Sequence, residues 1–135
     1  MAKTLFSAEF PRTFEAMGGV LDAAIAALQG AGYVSGTREP EVRLCLEEAL
    51  VNAIRHGNGL NAERMVRLEL REGQDGCCTI RIHDEGKGFS PEDVAAPKEE
   101  QLGGRGICLI RHFMDCVQFN RHDKCFEMAL RRQAS

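Results

Sequence analysis

The sequence predicts a two-layer α/β sandwich, with a mixed, mostly antiparallel sheet and three helices on one of its faces. Strand-like segments alternate, apolar on one side and polar on the other, as in a sheet covered on a single face. Other segments space their apolar residues as a helix does. A length of 135 residues suits one domain with a real core, so residues 1–135 are expected to form a single unit.

The elements follow in order. "TLFSAEF" places Phe6, Ala8 and Phe10 on one face and predicts a strand that ends at Pro11. From Arg12 to about Gln29, the residues Phe14, Met17, Leu21, Ala24 and Leu28 fall on one helical stripe, and Gly30 and Gly32 provide a stop. "VSGTREP" reads as loop, and a second helix is expected from Glu39 to His56, closed by the Gly- and Asn-rich "GNGLNAE". "RMVRLELRE" and "CCTIRIHD" read as two strands joined by the hairpin-type turn "GQDG". Cys78, Ile80, Ile82 and Asp84 share a face of the second strand. A Gly-, Pro- and charge-rich stretch runs from Glu85 to Gly104, and "GICLIRHFM" reads as a third helix. "DCVQFN" and "KCFEMALRR" predict a closing hairpin with Phe126, Met128 and Leu130 facing inward.

Composition narrows the function. A formal net charge of -3 argues against a nucleic-acid partner held by bulk charge. No apolar run approaches the ~18 residues needed to cross a membrane, and the start "MAKTLFSAEFPRTF" lacks a leader pattern, so a cytoplasmic protein is expected. Six cysteines form no C-x-x-C, and four histidines do not cluster, so zinc is not expected. The cysteines read as small, reduced, mostly buried hydrophobes.

Three stretches carry chemistry. In "CLEEALVNAIRHGN", Val42, Leu46, Ala49, Leu50, Ala53 and Ile54 cluster on one side of the helix. Glu48, Asn52 and Arg55 share the opposite arc, with His56 at its margin. A polar arc is ordinarily just solvated. Asn is a poor helix former, however, and its carbonyl beside a carboxylate suits a hard cation such as Mg²⁺. Glu47 lies off this arc and is expected to pair with Arg43.

In "HDEGKGF", Asp84 ends a strand on its apolar side, followed by Gly86 and Gly88. Asp and Gly are ordinary turn residues. A carboxylate on a buried face also needs a donor, which an adenine amine would supply, and glycines let the chain pass close to a flat base. In "QLGGRGICLI", Gly103, Gly104 and Gly106 precede a helix start, either as a plain flexible loop or as a row of N–H groups suited to phosphate. The stretch is neither a Walker A loop nor a Rossmann fingerprint.

Taken in order, "EEALVNAIRHGN", "DEGKGF" and "GGRGICLI" resemble the N, G1 and G2 boxes of the GHKL superfamily. These are the gyrase, heat-shock chaperone, histidine kinase and MutL proteins, which share the Bergerat ATP-binding fold. Given its size, the chain is most similar to the stand-alone bacterial anti-sigma-factor serine kinases. The resemblance implies ATP and Mg²⁺ as cofactors, with Asn52 on the Mg²⁺ that bridges the phosphates and Glu48 as general base. It implies Asp84 on the adenine amine, Gly86 and Gly88 beside the nucleotide, and residues 85–104 as a lid. Gly104 and Gly106 would hold phosphate, and Arg105 would neutralise γ-phosphate charge. Arg55 and His56 are weaker candidates. The implied acceptor is a serine of an anti-anti-sigma (STAS-domain) partner, and the implied assembly is a homodimer that also sequesters a sigma factor. A nucleotide-gated binding module with little kinase activity is the alternative; keeping both Glu48 and Asn52 favours the kinase.

Overall fold

A computed structural model describes residues 3–56, 65–73, 75–84, 110, 113–120 and 125–132, with backbone alone at 55, 56, 84, 119 and 120. In chain order the elements are β1 (Lys3–Pro11), α1 (Phe14–Gly30), α2 (Arg38–His56), β2 (Met65–Glu72), β3 (Cys77–Asp84), β4 (Cys116–Asn120) and β5 (Cys125–Arg131). The strands form one sheet in the order β1-β2-β3-β5-β4.

Every described strand pair is antiparallel, so the expected mixed sheet is corrected to an antiparallel one. Connectivity explains this. Two helices lie between β1 and β2, one running out and one running back, so β2 starts at the end where β1 stops. β4 runs in the direction of β3, and β5 folds back between them, so these two codirectional strands are not neighbours.

Helix α1 begins at Phe14, two residues later than expected, because Thr13 caps it by accepting a hydrogen bond from the N–H of Ala16 at 3.2 Å. Its buried stripe is Met17, Leu21, Ala24, Ile25 and Leu28, whereas Phe14 is 51% exposed. Phe14 is the first residue of the helix, ahead of the turn that lands on the sheet, so its periodicity overstates its burial. The helix stops in a Schellman arrangement: Tyr33 N–H donates to the Leu28 carbonyl at 2.9 Å and Gly32 N–H to that of Gln29 at 3.1 Å. Gly32 supplies the required positive φ of 85°.

Helix α2 buries Val42, Cys45, Leu46, Ala49, Leu50, Ala53 and Ile54. These meet the sheet residues Val66, Leu68, Leu70, Cys78, Ile80, Ile82, Met128 and Leu130 in one core. The alternation expected for β2, β3 and β5 is therefore present. Among the described residues two helices are complete rather than three. Of the third expected helix, Ile110 and Phe113 are helical, and Met114 N–H donates to the Ile110 carbonyl at 2.9 Å. No helix among the described residues is long and apolar enough to cross a membrane.

The two ends of the sheet differ. Pro11 pairs with Met65, and Val66 lies between Phe10 and Asp84, so the ends of β1 and β3 meet the start of β2 at one end. The α1–α2 connection sits at the other. There the fully buried Tyr33 donates its hydroxyl hydrogen to Glu72 at 2.7 Å, and the Arg132 guanidinium lies 5.1 Å from the Tyr33 ring centroid. Arg132 also pairs with Glu72. Burial and the Glu72 carboxylate together push the Tyr33 hydroxyl pKa well above its ordinary value. The 19 residues of α2 cover about 28 Å at 1.5 Å per residue, enough to carry the chain from this end to the Asp84 end.

Candidate functional site

The polar side of α2 has two distinct edges. On one, Arg43 reaches across to α1, bonding Asp22 at 2.7 Å and Glu39 at 3.1 Å. The expected partner Glu47 is exposed and not used, because Asp22 of the neighbouring helix and Glu39 one turn back occupy the guanidinium.

On the opposite edge lie Glu41, Cys45, Glu48 and Asn52. Glu48 and Asn52 are half-buried one turn apart, a spacing that sets their Cβ atoms about 5–6 Å from each other. Among the described residues neither side chain has a hydrogen-bond or ion-pair partner. A carboxylate and an amide left half-buried and unpaired together retain their capacity to bind something else.

Cys45 shares this edge and is fully buried. Burial first, then the Glu41 and Glu48 carboxylates, push its thiol up to about 11. It stays protonated at neutral pH and offers no soft thiolate beside the two oxygen-bearing side chains. The edge therefore presents hard donors, Asn52 carbonyl and Glu48 carboxylate, which fit Mg²⁺ rather than zinc. Among the described residues no group of three or more His, Cys, Asp or Glu side chains is arranged to hold a metal. A cation here would take most of its ligands from phosphate and water, as Mg²⁺ commonly does.

Asp84 closes β3 in register with the fully buried Val66, on the helix-covered face and at the end that α2 runs towards. Its backbone position matches the expectation; its side chain, like those of Arg55 and His56, lies outside the described residues. Gly86, Gly88, Gly104, Arg105 and Gly106 also lie outside them. The described part of the candidate site is thus the Glu48–Asn52 edge, on the helix that runs towards the end of β3.

Two residues near this end escaped the sequence reading. Cys45 lies three positions before Glu48, and helical spacing could have placed it on the edge. Arg12, only 6% exposed, is the buried charged residue among those described, and follows directly after the strand end that pairs with Met65. A guanidinium next to Pro at the surface end of a strand carries no sequence signal of burial.

Residues 10–131 match the model of the histidine kinase-like ATPase domain family. The chain belongs to that family. Among characterised proteins, this ATPase domain is 30% identical over 86 residues to the serine/threonine-protein kinase BtrW of Bordetella bronchiseptica, covering 59% of the chain and 60% of that protein. It is 34% identical over 79 residues to an anti-sigma F factor of Heyndrickxia coagulans, covering 54% of each. An anti-sigma F factor of Priestia megaterium is 30% identical over 84 residues, covering 58% of the chain and 57% of that protein. The domain therefore spans between 54% and 60% of the length of these relatives. Membership implies ATP as the ligand. Its α/β sandwich and its N-box helix agree with the resemblance that the three glycine- and asparagine-bearing stretches carry.

Proposed function

We propose that this ATPase domain is an ATP- and Mg²⁺-dependent protein serine/threonine kinase of the anti-sigma type, acting as a single cytoplasmic domain of residues 1–135. The observation that carries the reading is the Glu48–Asn52 edge of α2, unpaired among the described residues, on the helix that runs towards the end of β3 where Asp84 stands. The similarity to a serine/threonine-protein kinase and to two anti-sigma F factors supports it.

In this reading the Asn52 carbonyl holds Mg²⁺, which neutralises charge on the phosphates when bound. Glu48 accepts the proton of an incoming serine hydroxyl. The serine oxygen then bonds to the γ-phosphorus, and the bond from that phosphorus to the β–γ bridging oxygen breaks, leaving ADP. Phosphoryl transfer depends mainly on positioning and charge, so one base and one metal-binding amide suffice from the protein side. Asp84 accepts from the adenine amine. Gly86 and Gly88 let the chain approach the nucleotide, and Gly104, Arg105 and Gly106 meet the phosphates. The acceptor is a serine on an anti-anti-sigma STAS partner, and the domain, as a homodimer, also binds a sigma factor.

The test incubates the domain with labelled ATP, Mg²⁺ and candidate STAS partners. Label on a partner serine, lost in Glu48→Gln, supports the kinase. Tight ATP binding without transfer to any partner contradicts it and supports a nucleotide-gated binding module.

A further inference from the structure

We draw no further inference here: the strongest candidate, the sheet face away from the helices, where Arg81 bonds Glu127 at 3.0 Å and Cys125 at 3.3 Å, carries nothing because nothing in the structure shows what covers it.

Discussion

Glu48 and Asn52 stand one helical turn apart on the edge of α2 opposite the one where Arg43 binds Asp22 of α1. One edge of the helix is used for packing against its neighbour, and the other keeps a carboxylate and an amide unpaired among the described residues. This division separates a structural side of α2 from the side proposed to meet the nucleotide. It also separates the twin glutamates, because Glu47 is exposed on the crest and Glu48 is half-buried on the site edge.

Glu48→Gln removes a proton acceptor and keeps size and hydrogen-bonding capacity. Transfer to a partner serine is expected to fall by about 100-fold or more, the usual worth of a positioned base. ATP affinity should stay within about threefold, a change of less than 1 kcal/mol. Parallel transfer assays and nucleotide titrations check this, and equal loss in both would assign Glu48 to binding.

Asp84→Asn replaces an acceptor-only carboxylate with an amide at the end of β3. ATP should bind about tenfold more weakly, in the range expected for losing a hydrogen bond to a charged group. Discrimination against GTP should narrow at the same time. Competition titration of the two nucleotides measures both. Unchanged ATP affinity would remove Asp84 from the adenine contact.

Much of the fold was legible because the helices cover only one face of the sheet. Leu68, Ile80 and Met128 each alternate with a polar neighbour, and that pattern survives without knowing what they touch. The strand order was not legible, since the insertion of β5 between β3 and β4 depends on pairing between distant segments. Phe14 misled because periodicity says nothing about where a helix first meets the sheet. Arg43 misled because its partner Asp22 lies on another helix, which local spacing cannot show. Glu48 and Asn52 were legible as an i, i+4 pair; the shielding of Arg12 arises only from tertiary packing. The glycine-bearing stretches lie outside the described residues.

The buried thiols make stability depend on alkaline pH. Folded Cys45 holds its proton up to about 11, and Cys78 up to about 12, in both cases chiefly through burial. An unfolded thiol releases its proton near 8.5. Above that pH the folded state binds more protons than the unfolded state, so stability falls as pH rises. It should be intact below about pH 8.5 and decline progressively through pH 11. The melting temperature as a function of pH checks this. Cys45→Ala should start lower, through its small cavity, and then decline less steeply.

At the far end of the sheet, Tyr33→Phe would leave Glu72 with Arg132 and without the tyrosine hydroxyl. Urea unfolding should register a loss of about 1–2 kcal/mol, the cost of a hydrogen bond to a charged acceptor. ATP affinity should not change, because Tyr33 lies at the end of the sheet away from Asp84 and Asn52. A selective loss of ATP binding with unaltered stability would contradict this separation.

The central claim is that the Asn52 edge of α2 is a Mg²⁺–ATP wall. The direct measurement titrates ATP into the unmodified chain and into Asn52→Ala, each with Mg²⁺ and with EDTA. The account predicts that Mg²⁺ strengthens ATP binding to the unmodified chain by about tenfold or more, equivalent to at least about 1.4 kcal/mol. Asn52→Ala should lose that Mg²⁺-dependent gain while keeping its affinity for adenosine. The same Mg²⁺-dependent gain in both proteins would contradict the account.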